Sequence, residues 1–180
     1  GQVVDSAMVD GSLSLMSFFY SLKEMGHWED SRESNLLDGF AHFYDTYECS
    51  DNKYIAVGSI EPQFYSELLD KLEIDDEQFQ DQHNKKIWPV LKEKMAAKIK
   101  LKSRSEWVEI FTDSDACVSP VLSMEEAKKH PHNLSRDAFT NIDGFNQPNA
   151  SPRFSITNLK IKHNAKPIGS DQDDIYEEFN

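Results

Sequence analysis

An α+β fold, a β-hairpin or small sheet with helices, is predicted by three features of this 180-residue chain. Residues 43–60 hold two strand-like runs around the turn Ser50-Asp51-Asn52. Pro62 follows the second run at once, where a helix accepts proline because its missing N–H would have no partner in the first turn. Most other apolar residues recur at helical spacing.

Taken in order, Gly1-Gln2-Val3-Val4-Asp5 reads as a short strand already under way, with no initiator Met, as expected of a piece cut from something longer. Met8, Leu15, Phe18, Phe19 and Leu22 then fit one helix over 6–22, capped by Asp5 or Ser6. Residues 26–35 are polar and aperiodic, a linker. The hairpin strands cover 43–49 and 53–60, and Phe64, Tyr65, Leu68, Leu69 and Leu72 give the next helix its apolar face. Residues 75–84 form a polar connector. Ile87, Leu91, Met95 and Ile99 stand four apart and predict an amphipathic helix over 85–101. A helix over 105–112, capped by Ser103 or Ser105, leads to a strand over 117–122 interrupted by Pro120. Ser123 and Glu126 have capping-box spacing and announce a short helix over 124–130. Residues 139–142 and 153–156 are candidate strands, 146–151 a loop, 161–169 extended and 171–179 a closing helix.

Composition limits function. An apolar share of 38% can build a core, and no apolar run approaches the ~18 residues of a membrane span, so a soluble protein without a membrane partner is expected. A net charge of −13 repels phosphate backbones and argues against nucleic acid as a partner. Residues 85–104 run the other way, with eight bases against the single acid Glu93. They read either as a solvated helix face or as a docking surface for an anionic partner or a phosphate-bearing ligand. Cys49 and Cys117 form no disulfide framework and read as buried thiols.

Few residues suggest chemistry. His130-Pro131-His132 lacks a third ligand at a familiar interval, so no metal is expected. Cys117 has no histidine base near it in sequence, and the glycines form no phosphate-cradling loop. Glu61 stands out, because it closes an apolar strand just before a proline-started helix, where Asp, Ser or Thr would cap better. It is either an ordinary solvated glutamate or an ionised carboxylate, favoured by the helix N-terminus, that can accept a proton or orient an imidazole.

The runs GQVVD (1–5), MVDG (8–11), NLLDG (35–39), FYDTY (43–47), AVGSIEPQFY (56–65), DACVSPVL (115–122), Pro131-His132 and SPRF (151–154) together resemble the C-terminal half of the alpha-methylacyl-CoA racemases, a branch of the family III CoA-transferases. The likeness runs over essentially the whole chain. It implies the small α+β domain of that fold over 39–130. Residues 1–38 would be a strand, helix and linker, and 131–180 a return segment, of a Rossmann-like large domain absent from this chain. It also implies an interlocked homodimer and an acyl-CoA thioester substrate, epimerised at its alpha carbon without a redox cofactor. By the same resemblance Glu61 is the catalytic glutamate beside a histidine that, with an aspartate, comes from the missing N-terminal half. Met8, Leu36 and Tyr44 would line the acyl path, and Leu36 stands where a second methionine is common. His42 replaces a proline. The isolated piece is expected to be inactive. The alternatives are CoA transfer between acyl groups and a non-catalytic dimerisation or scaffold role. The expected location is the bacterial cytoplasm, or peroxisome or mitochondrion in a eukaryote.

Overall fold

A computed structural model of the chain describes residues 1–157, 159–161 and 163–179. Its helices and strands run in the order α1 (Met8–Leu15), α2 (Ser17–Glu24), β1 (Tyr44–Glu48), β2 (Tyr54–Gly58), α3 (Pro62–Lys71), α4 (Trp88–Ile99), α5 (Arg104–Phe111), β3 (Val118–Pro120), α6 (Met124–Lys129), α7 (Pro131–Ser135), β4 (Phe139–Ile142), β5 (Phe145–Pro148) and α8 (Gln172–Phe179). Contacts divide it into two units, Gly1–Val121 and Leu122–Asn180. No helix among the described residues is long and apolar enough to cross a membrane.

In the first unit, β1 pairs antiparallel with β2, and β2 with β3. Strand alternation turns Tyr47, Ile55 and Val57 inward, where they meet Tyr65, Leu68, Leu69 and Leu72 of the α3 region and Leu91, Met95 and Ile99 of α4. Phe43, fully buried just before β1, meets Trp88 edge to face with ring centroids 5.5 Å apart. The connector over 75–84 is more than polar spacing. It contains a turn of 3₁₀ helix over Glu77–Gln80 that buries Phe79 and delivers Gln82 to the core. Capping boxes close on Ser103 with Glu106 and on Ser123 with Glu126.

Several expectations are corrected. Residues 1–5 form no strand, since nothing in the described chain offers them a pairing edge. The single helix over 6–22 is two, starting after Ala7 without a side-chain cap and broken at Met16. There the Met16 N–H reaches both Ser12 and Leu13 carbonyls, and the Ser17 hydroxyl takes the Ser14 carbonyl, so serine chemistry competes with the helical ladder. The linker over 26–35 ends in an ordered corner. Asn35, 1% exposed, bridges the Glu29 backbone and the Asp38 carboxylate. In the second unit β4 pairs with β5, so residues 146–148 are strand where a loop was expected and 153–156 form none; Asp143 and Gly144 both take positive φ and turn the chain straight back. Lys162, inside the segment expected to be extended, and Asn180 lie outside the described residues.

The basic stretch is largely committed internally. Lys92 pairs with Asp45 (2.5 Å) and donates to the Gly39 carbonyl (2.5 Å), Lys94 pairs with Asp76, Lys98 with Glu73 and Lys100 with Glu48 (3.0 Å). Arg104 is buried and donates to the Val121 carbonyl. These charges tie α4 and the start of α5 to the hairpin and its neighbours, which takes much of the segment away from an anionic docking partner.

His42 occupies the centre of the first unit, fully buried. Its Nε2 lies 2.7 Å from the Tyr65 hydroxyl, which itself donates to the Phe79 carbonyl (3.0 Å). The Tyr65 proton is therefore spent, and Nε2–H is the donor, leaving Nδ1 as a bare acceptor without a partner among the described residues. Burial, reinforced by His83 nearby, pushes the imidazole down to about 4. The unfolded chain takes up this proton near pH 6.5 and the folded one only near 4, so stability falls as pH drops through that window. The expected loss is about 3 kcal/mol in all. Urea denaturation at stepped pH should show a steeper decline between 6.5 and 4 for the wild type than for His42→Gln; parallel curves would refute it.

Candidate functional site

β2 delivers the candidate carboxylate. Ser59 and Ile60 carry the chain from the end of that strand to Glu61, the N-cap of α3, whose backbone is extended (φ −72°, ψ 141°). Its side chain makes no capping bond and is exposed. One methylene longer than Asp, it overshoots the first-turn N–H groups that a shorter acid would take, and its oxygens stay available.

The backbone beneath it is fixed from two sides. Ser59 is fully buried; its N–H donates to the Phe43 carbonyl (3.0 Å) and its hydroxyl to the Ala116 carbonyl (2.5 Å). The Gly58 N–H donates to the Cys117 carbonyl (3.0 Å). The loop before β3 thus clamps the exit of β2, although nearly 60 residues separate them in sequence.

A cleft of about 490 Å³ opens on the outward face of the sheet, lined among others by Leu37, Gly39, Tyr44, Gly58, Cys117 and Ser119. Gly39 takes φ +87°, a left-handed conformation that glycine adopts without strain. The Asp38 carboxylate organises that wall by accepting the N–H groups of Ser34 (3.1 Å) and Asn35 (2.9 Å) and the Asn35 amide (2.8 Å). Burial alone would raise this carboxyl, but these bonds outweigh it and hold it below its ordinary value.

The four candidate residues are only partly brought together. Tyr44 lines the cleft, opposite Gly58 across the β1–β2 pair. Glu61 is not among the cleft residues, but its charge acts on Cys117, which is. Leu36 instead packs against the core, and its neighbour Leu37 faces the cleft. Met8, 89% exposed on α1, is not among the cleft residues.

Cys117 corrects the expectation of two buried thiols: Cys49 is buried and Cys117 exposed. Cys117 precedes β3 in a left-handed conformation (φ 54°), which turns it out of the strand's alternation and away from the core, a feature that residue order does not announce. Partial desolvation first, then the charges of Glu61, Asp115 and Glu67, push the thiol up, which makes it a poor nucleophile at neutral pH. Among the described residues no group of three or more His, Cys, Asp or Glu could hold a metal ion.

The sequence profile of CoA-transferase family III matches residues 1–172. A Mus musculus protein named alpha-methylacyl-CoA racemase is 45% identical over 158 residues, 87% of this chain and 42% of its own length. A Homo sapiens protein of the same name is 39% identical over 181 aligned residues, 99% of this chain and 47% of its own length. A crystal structure of a CAIB/BAIF family protein from Brucella suis matches all of this chain with a TM-score of 0.75 at 16% identity, over 48% of its own length. The chain therefore spans a little under half the length of these relatives, and the mixed helix-and-sheet architecture is part of the fold of that larger protein.

The proximity of Glu61 to Cys117 can be checked on the isolated chain. Removing the carboxylate charge lowers the thiol's pKa and exposes more thiolate at a given pH. Alkylation of Cys117 by iodoacetamide near pH 8 should therefore speed up in Glu61→Gln; an unchanged rate would separate the two groups.

Proposed function

The chain belongs to CoA-transferase family III, and on that footing we propose that it is the C-terminal part of an alpha-methylacyl-CoA racemase, an isomerase acting at the alpha carbon of acyl-CoA thioesters. The mouse and human relatives bearing that name support the reading over nearly all of this chain. The observation that carries it is Glu61, an exposed carboxylate that makes no side-chain bond at its cap, two residues beyond the buried and hydrogen-bonded Ser59, with its charge acting on Cys117 in the cleft that Tyr44 also lines.

The thioester carbonyl acidifies the adjacent C–H, so a base on one face can remove the proton. Donors hold the enolate, and an acid on the other face returns a proton. In this reading the histidine and aspartate that exchange protons come from the N-terminal half, and Glu61 accepts the imidazole N–H. That bond orients the ring and stabilises its protonated form. Tyr44 flanks the acyl group, while Met8 and Leu36 act on the acyl path only where the missing half brings them to it. No redox cofactor enters the scheme.

Residues 39–130 are taken as the small domain, with 1–38 and 131–180 completing a large domain. None of α1 or α2 is buried, and Val3, Val4, Met8, Leu15 and Phe18 stand exposed, as expected of segments that another part of the protein covers. An interlocked homodimer would supply that cover together with the N-terminal half. The enzyme would be cytoplasmic in a bacterium, or peroxisomal or mitochondrial in a eukaryote. A Caenorhabditis elegans relative, 29% identical and named a CaiB/baiF CoA-transferase family protein, favours CoA transfer as the second reading.

The test supplies a racemase N-terminal half in trans and follows exchange of the substrate's alpha proton in deuterated water. Exchange is expected only with both pieces present, and Glu61→Gln should slow it by about 100-fold or more. Undiminished exchange in that variant would remove Glu61 from the mechanism; CoA transfer to a free carboxylate without alpha exchange would select the second reading.

A further inference from the structure

We propose that Gln82 is the positioning residue for Glu61: its side-chain amide sets where that carboxylate sits. The inference rests on the role given to Glu61 above.

Gln82 is polar yet only 7% exposed, in a connector that local sequence marks as spacing. Its single amide nitrogen donates to two successive carbonyls, Ser59 (3.1 Å) and Ile60 (3.0 Å). An amide carries two N–H donors, and both are used on the two peptides immediately before Glu61. Its main-chain carbonyl accepts the buried indole N–H of Trp88 (2.7 Å), so the residue is held from the α4 side as well. The remaining anchors lie on the other side of the same segment: the Ser59 N–H and hydroxyl bind Phe43 and Ala116, and the Ile60 N–H turns back to the Gly58 carbonyl (3.0 Å). Glu61 contributes no bond through its side chain at its cap. Its location is therefore inherited from the backbone, and only Gln82 acts on the Ile60 carbonyl side of that backbone with a side-chain donor among the described bonds. Glutamate in its place would set a carboxylate against two carbonyls, and asparagine falls one methylene short of them.

Two double-mutant cycles test this. On the isolated chain, the effect of Glu61→Gln on the pH profile of Cys117 alkylation should shrink in the Gln82→Met background, because the carboxylate no longer keeps its place beside the thiol. An equal effect in both backgrounds would overturn the proposal without touching the function. In the complemented enzyme, assayed well below its melting temperature, Gln82→Met should lower kcat about 10- to 100-fold with KM within about twofold. In the Glu61→Gln background the same change should have no further effect on kcat. A merely structural role for Gln82 predicts equal losses in both backgrounds, and that result would overturn the proposal. If Gln82→Met does not fold, Trp88→Phe, which removes only the indole donor to Gln82, gives the same pattern at smaller amplitude, and additivity there is equally fatal. Loss of activity in Glu61→Gln with an unchanged Gln82→Met kcat would sink this inference alone. Full activity in Glu61→Gln would sink the reading beneath it.

Discussion

A buried serine with every polar group spoken for ties the end of β2 to the rest of the first unit. Ser59 sits where β2 has run out of ladder partners, and an unpaired peptide there would cost about 1–3 kcal/mol for each orphaned group. The chain meets that demand with groups from three distant places: the Phe43 carbonyl, the Ala116 carbonyl and the Gln82 amide. Because all three converge on one residue, the sheet, the loop before β3 and the connector before α4 are locked to the same point. Glu61 leaves from that point, two residues on.

This arrangement explains how an exposed side chain can still have a defined address. Glu61 is exposed and makes no side-chain bond at its cap, which leaves its oxygens available for a group brought by another segment. Its rigidity comes from the backbone, where conformational entropy has already been given up in folding. The same logic holds across the cleft. There the Asp38 carboxylate gathers backbone N–H groups and Lys92 ties Asp45 to the Gly39 carbonyl, so the wall opposite Tyr44 is set by fixed dipoles and charges.

Electrostatics divides the chain into two roles. The lysines over 85–104 looked available for an outside anion, yet Lys92, Lys94, Lys98 and Lys100 each face an acid of the same unit. The charges of Glu61, Asp115 and Glu67 all act on Cys117 and raise its thiol. Negative charge concentrated there is poorly suited to activating a thiolate.

What residue order determined by itself was everything settled within about a turn or a hairpin. The Pro62 helix start, the Ser103 and Ser123 caps, the four-residue stripe of α4 and the β1–β2 hairpin depend on neighbours a few positions apart, and the motif around Glu61 is contiguous. Tertiary structure alone decided the fate of groups whose partners lie far along the chain. Gln82 looked like spacer until two carbonyls more than twenty residues away claimed it, and His42 became a neutral core group only because Tyr65 and Phe79 surround it. Residues 1–5 have strand character but no strand beside them, and Leu36 packs against the core while Leu37 takes the cleft. A backbone preference is a property of local sterics, whereas a hydrogen bond or a buried face exists only once its distant partner has been brought within reach.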